Sequence, residues 1–299
     1  MQPSTNTPKR QQHKNTKSNN DIPLKKSTKD WTIKKETTLN DLPLISRSYN
    51  DNNTPNLKNV ELQKELWNDI CKETMKVIHH TDTKPWIPLI ISLRKLREGV
   101  RASNWSEGNI RFSVKVYEES VHTSLRGRDF AEFRKAIRGL VDELYLVHKK
   151  GTNGHYLALD TLYQACHLDQ YQSAIHQLIH KKQHHLYYNE HEINYTIQLL
   201  KALNDQNCIR FFKLYHQSPH PAYQLLLEPS IITLRQYVLK TMQKVYYMAP
   251  LSWVSTCLGL PSHEKEKGQE DTIQLIEQVY KLCIDKIEDN TIYFKKIKK

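Results

Sequence analysis

From Ile110 onward, apolar side chains return in steps of four, three, four and four residues, at Ile110, Val114, Tyr117, Val121 and Leu125. That spacing lays one apolar stripe along one side of an α-helix, whereas a strand would scatter the same set over both its faces. Gly127 interrupts the stripe. Asp129 with Glu132 then forms an Asp-x-x-Glu variant of the capping box and opens a second stripe at Phe130, Phe133, Ile137, Leu140, Leu144 and Val147. So short a connection between two amphipathic helices folds them back as an antiparallel hairpin.

The arrangement returns downstream. After a Gly151 to Gly154 loop, Tyr156, Leu159, Leu162 or Tyr163 and Cys166 form one face, and Ala174, Ile175, Leu178 and Ile179 form the next. A third pair runs through Ile193, Ile197 and Leu200, turns at Asn204-Asp205, and continues with Cys208, Phe211, Phe212 and Tyr215. The corners at Gly127, Leu168-Asp169 and Asn204-Asp205 stand about 41 and 36 residues apart, the pattern of loose helix-hairpin repeats. Gly127-x-Asp129-Phe130-x-x-Phe133 and Asp169-x-Tyr171-x-x-Ala174 resemble the second helices of tetratricopeptide repeats. Upstream, Val60, Leu66 or Trp67, Ile70 and Met75 to Ile78 predict a helix that stops before Pro85 and Pro88. Leu89 to Leu96 predicts another, with a basic face of Arg94, Lys95, Arg97 and Arg101. Downstream, Ile231, Leu234 or Arg235, Val238, Met242 and Val245 predict a helix leading out of the stack.

Past that helix the character changes. Pro250 suits a first helical turn, Leu251, Val254 and Leu258 make a short helix ended by Gly259 and Pro261, and Ile273, Ile276, Val279 or Tyr280 and Cys283 make a further one. Thr291 to Phe294 reads as a strand. Helix, short helix, helix, strand is the order of a winged helix. The expected fold is therefore mainly α: a disordered basic tail over 1–58, tetratricopeptide-like helical hairpins over 59–248, and a C-terminal winged helix over 249–299. Composition agrees, with only 8 Gly and 12 Pro against 16 Tyr, few turn residues for many packing ones.

The net charge of +12 favours an acidic partner: nucleic acid, an acidic protein or a membrane surface. Eleven Lys or Arg stand against five acids in the first 58 residues, where Pro8-Lys9-Arg10, Lys25-Lys26 and Lys34-Lys35 suit a short nuclear-import signal or a tether to RNA, or simply keep a tail soluble. No apolar run spans a membrane and no signal-peptide core opens the chain, so a soluble intracellular protein is expected. Cys71, Cys166, Cys208, Cys257 and Cys283 are widely spaced and read as reduced packing residues.

Catalytic and metal chemistry find little purchase. His176, His180 and His184 stand four apart on one helical face, but beside Lys181-Lys182 they read as a solvated surface. The Gly151-Thr152-Asn153-Gly154 loop lacks the Gly-Lys-Ser/Thr ending that holds phosphate, and Glu118 and Glu119, adjacent on a helix, point different ways. No enzyme activity, cofactor or metal is expected. The helix at 271 to 284, which a winged helix would set into the major groove, carries Asp271 and Glu277 and is flanked by Glu270 and Asp285 against the single Lys281, so it repels phosphate. Positive charge gathers instead on Lys295, Lys296, Lys298 and Lys299 and on Arg235, Lys240 and Lys244 of the preceding helix. That rim suits RNA phosphate contacts without sequence reading.

Ile110-Arg111-Phe112-Ser113-Val114-Lys115-Val116-Tyr117-Glu118, Gly154-His155-Tyr156-x-Ala158-Leu159, Phe211-Phe212-x-Leu214-Tyr215 and Leu251-Ser252-Trp253-Val254 with Leu258-Gly259-Leu260 resemble, in order, the SAC-three/GANP family of the PCI group. The resemblance covers roughly residues 89 to 297. The Cys-Pro-x-x-Glu segment that opens the export-scaffold branch is absent, so the chain is most similar to the THP-three and leukocyte-receptor-cluster-member-eight branch. The resemblance implies a non-catalytic scaffold in transcription elongation, splicing or mRNA export, in the nucleus or shared with the cytoplasm. It also implies a second PCI-domain subunit and a small acidic Sem/DSS-type protein as partners, with RNA held at the basic rim. The rival expectation keeps the fold and changes the assembly, to a proteasome-lid or COP-nine-signalosome-type subunit acting by protein contacts alone.

Overall fold

Asn59 opens the first helix by accepting the backbone N–H of Glu61, and α1 then runs over Val60–Val77. Its buried side is Gln63, Leu66 and Ile70, while Met75, placed on the apolar stripe by spacing alone, is 72% exposed. The computed structural model describes residues 56–147, 152–184, 187–188, 190–260 and 284–295, so the expected tail up to residue 55 and the expected helix at 271 to 284 lie outside the described residues, except for Ile284, which opens a strand instead of closing that helix. Leu57, at the edge of that tail in sequence, is buried against α1 and α2.

A single 3-10 turn, Lys84–Trp86, leads into α2, Ile87–Ala102. Of the expected basic face of α2, Arg97 is a correction: it is buried and ion-paired with Glu132, and its guanidinium lies 5.8 Å from the Tyr117 ring centroid. Burial raises the Glu132 carboxyl, but Lys135 at 2.7 Å and Arg97 together outweigh it and hold Glu132 below the usual carboxylate range. The capping-box acid thus also fastens α2 to the following hairpin.

α3, Asn104–Glu107, is one left-handed turn of non-glycine residues, a conformation that persists only where neighbours impose it. They do: Gln63 Nε2 donates to Leu57 O at 2.7 Å and to Ser103 Oγ at 2.9 Å, and Ser106 Oγ donates to Gln63 Oε1 at 3.0 Å. The first expected hairpin follows, as α4, Ile110–Arg126, and α5, Phe130–Arg138, with Asp129 accepting the Glu132 N–H at 3.0 Å. α5 continues through a π-helical stretch, Gly139–Leu144, into α6, Tyr145–Val147. The π turn inserts one residue and slips the stripe, so Val141 and Tyr145 are buried while the expected Val147 is 65% exposed. Gly139 stands where a Cβ would come within 2.4 Å of the Tyr117 ring, so only glycine lets the two helices close.

A two-residue strand, β1, Thr152–Asn153, pairs in parallel with β2, Tyr187–Tyr188. Between them lie α7, Gly154–His167, and α8, Tyr171–His184. They are followed by α9, Glu190–Asn204, α10, Cys208–His216, and α11, Pro221–Val245. α7 is buried on every side, packed by α5, α8, α9 and α11, as a helix in the centre of a stack must be. The three hairpin corners share a design: Arg128, Asp169 and Gln206 each take a left-handed φ, near +50°, and the next N–H reaches back to a carbonyl of the preceding helix. α11 continues through Pro229, which is exposed.

β3, Met248–Pro250, α12, Leu251–Cys257, β4, Ile284–Glu288, and β5, Thr291–Phe294, complete the described chain. The three strands form an antiparallel sheet in the order β3-β5-β4. Gly259, at φ +62°, ends α12 where any side chain would strike the Phe212 ring. The chain is mainly helical. One continuous core joins α4 through β5, and a smaller one joins α1 and α2 through Trp86, Leu93, Leu96 and Val116.

Candidate nucleic-acid interface

The last two turns of α11 set the geometry. Lys240, Gln243 and Lys244 recur at spacings of three and four on one side of the helix, and Tyr247 follows just past its end at Val245. Gln243 Nε2 donates to the Lys295 carbonyl at 2.9 Å, and the Phe294 N–H donates to the Tyr247 carbonyl at 2.9 Å. These two bonds lash the end of β5 to the end of α11, so exposed Lys240, Lys244 and Lys295 border one region although some fifty residues separate them in sequence. Lys296, Lys298 and Lys299 lie outside the described residues.

Arg235 sits differently. It is half-buried, its Nε donates to the Leu258 carbonyl at 2.8 Å, and its guanidinium lies 5.5 Å from the Phe212 ring centroid. In these contacts it joins α10, α11 and the end of α12.

Sequence reasoning named the lysines and missed the rings beside them. Tyr246 meets Trp253 edge-on at 5.3 Å, Tyr247 meets Tyr293 edge-on at 6.1 Å, and Lys286 Nζ stands 5.0 Å from the Tyr293 ring centroid. The signal was present as Tyr246-Tyr247-Met248 directly after the apolar stripe ends. Lys286 also pairs with Glu288 at 2.8 Å, and that hydrogen bond raises its pKa. The acids of this region, Asp285, Glu288 and Asp289, belong to β4 and its turn, leaving the α11 side to the lysines.

A second polar constellation is buried in the stack. His155 Nδ1 lies 2.9 Å from Glu192 Oε2 and 2.8 Å from the Tyr223 hydroxyl, which itself donates to Glu192. His122 and His220 flank the His155 ring at 5.7 and 4.3 Å between centroids, and His122 Nε2 lies 3.0 Å from the Tyr156 hydroxyl. Burial lowers the His155 pKa against the pull of Glu192, and burial with the neighbouring imidazoles lowers His122 to about 4. Tyr223 is raised by burial and by Glu192. An imidazole oriented by a carboxylate has the form of a catalytic dyad. A cleft of about 550 Å³ between α7, α9 and α11 is lined by Cys166, His167, Tyr171, Asn204 and Tyr237 and by none of these groups.

His176 and His180 are exposed, and the side chain of His184 is outside the described residues. Among the described residues no group of three or more His, Cys, Asp or Glu is placed to hold a metal ion. Glu118 accepts from the Tyr145 hydroxyl at 3.1 Å and Glu119 from Thr123 at 3.2 Å, so the two acids serve separate neighbours. Cys166 and Cys257 are buried free thiols pushed up to about 11 by burial; Cys71 and Cys208 are free and half-buried. No described helix is long and apolar enough to cross a membrane. Among known proteins, no family model matches the sequence and no curated protein matches it significantly.

Proposed function

We propose that this chain is a non-catalytic scaffold subunit of a nuclear complex in mRNA metabolism, in which tetratricopeptide-like hairpins carry a C-terminal winged helix, a second PCI-type subunit docks on that module, and RNA lies along the basic rim. The like-shaped corners at Arg128, Asp169 and Gln206 support the hairpin reading. A strand, a short helix and an antiparallel strand pair in the order β3-β5-β4 support the winged-helix reading. The observation that carries the RNA reading is the Gln243 to Lys295 bond, which gathers Lys240, Lys244 and Lys295 into one positive edge.

Phosphate contacts of this kind release counterions, so binding must weaken with salt and do so less steeply once lysines are removed. Lys240→Glu with Lys244→Glu should weaken RNA binding and lower the log–log salt slope by about 0.7 for each phosphate no longer neutralised. Unchanged binding would rule out the rim as the RNA site. Affinity purification tests the assembly: splicing, transcription or export factors with a small acidic subunit support the proposal, and proteasome or signalosome subunits replace it with a scaffold that acts by protein contacts alone.

A further inference from the structure

Where α11 hands over to β3, aromatic and apolar groups stay in water that the fold gives no reason to leave there. Tyr246, Tyr247 and Met248 are 44%, 63% and 55% exposed. Tyr247 meets Tyr293 edge-to-face and keeps most of its own surface exposed. The strand register adds a row: Met248 of β3 and Lys286 of β4 both pair with Tyr293 of β5, so all three share the outward side of the sheet, while Ala249, Ile292 and Ile287 turn toward the core. Lys240, Lys244 and Lys295 border this surface from the α11 side.

We propose that this surface is a binding site for single-stranded nucleic acid, with an unpaired base stacked on Tyr247 and the phosphates running past Lys240, Lys244 and Lys295. The site deepens the RNA reading above and rests on it. Charge complementarity selects a polyanion. The rings select its strandedness, because the base faces of a duplex are occupied by their neighbours and only a single strand offers them to a side chain. The acids of β4 and its turn keep the phosphate track on the α11 side. A protein partner would favour an apolar centre depleted in lysine, whereas here Lys286 sits over Tyr293.

The test uses the full chain, a fluorescently labelled oligouridine and a blunt RNA duplex of equal length, with binding read by anisotropy. Oligouridine should bind at least about tenfold more tightly than the duplex, and Tyr247→Ala should weaken it about 5- to 100-fold with little effect on the duplex. Tyr247→Phe, which keeps the ring, should restore it. Because Tyr247 is largely exposed, its variants should keep the parent melting temperature, which excludes misfolding as the cause. Lys240→Glu with Lys244→Glu should weaken both ligands. If the lysine pair matters and Tyr247→Ala binds oligouridine like the parent, or the duplex binds as well as the single strand, the stacking site is overturned while RNA at the rim stands. If neither ligand binds, both readings fall. If Tyr247→Ala spares oligouridine but releases a co-purifying protein subunit, the surface is a protein interface and the proposal fails.

Discussion

The molecule holds two clusters of the same residue types in opposite surroundings. Around α7, Tyr156, Tyr223 and His155 are closed in by α4, α9 and α11 with half-buried His122 and His220 against them, and His155 Nδ1, Glu192 and the Tyr223 hydroxyl satisfy one another. At the end of α11, Tyr246, Tyr247 and Trp253 remain 44%, 63% and 38% exposed while pairing edge-on, with half-buried Tyr293 as the partner of Tyr247. An enclosed ring contributes its area to stability and each unmatched polar atom beside it is costly, whereas an open ring contributes little to folding and keeps its face for another molecule. Residue type did not assign these roles; enclosure did.

The contrast can be broken at several strengths. Leu162→Ala, at the centre of α7 with no solvent exposure, should lower unfolding stability by about 2–5 kcal/mol in denaturant melts, because the surrounding helices cannot collapse onto the gap. A much smaller loss would mean that α7 is not the centre of the stack.

Acid should act next. His122 on α4 faces His155 and Tyr156 of α7 and His220 at the start of α11, with Arg126 one turn along, while Glu192 of α9 and Tyr223 of α11 face His155. With His122 depressed from 6.5 to about 4, the unfolded chain binds more protons than the folded one between those values, so stability present at neutral pH is lost as pH falls through that window. The expected loss by pH 5 is about 2 kcal/mol, read as a falling denaturant midpoint, and His122→Gln should flatten the slope. A midpoint unchanged down to pH 5 would show that the imidazole is not enclosed.

Tyr223→Phe keeps the ring and removes the hydroxyl that bonds Glu192 and lies 2.8 Å from His155. It should cost about 1–3 kcal/mol, less than the deleted leucine because no cavity opens. Tyr247→Ala closes the series: stability should change by less than about 0.5 kcal/mol while single-strand binding falls, so that a large loss of stability here would erase the difference between the two clusters.

Much of the helical pattern was legible because spacing and caps are local. The stripe from Ile110 to Leu125, the Asp129 cap, the corners near 127, 169 and 205, and the strand at Thr291 to Phe294 are all where their residues indicate. Other features were hidden for identifiable reasons. α11 begins at Pro221 rather than near Ile231, because Pro229, a residue type that ordinarily breaks a helix, lies inside it. β4 escaped notice because the irregularity between Ile284 and Lys286 breaks the period of two that marks a strand. Arg97 read as part of a basic face because its charge is visible in the sequence, whereas Glu132, which neutralises it inside, is 35 residues away.

The amino-acid order alone determined that this chain makes amphipathic helices joined by short corners, since side-chain period and capping depend only on near neighbours. Only the tertiary structure decided which charges and rings face outward together. Gln243 came to bond the Lys295 carbonyl, half-buried Arg235 became a tie to the end of α12 and Tyr247 stayed exposed through hydrogen bonds and packing between segments far apart in the chain, and no local period carries that information.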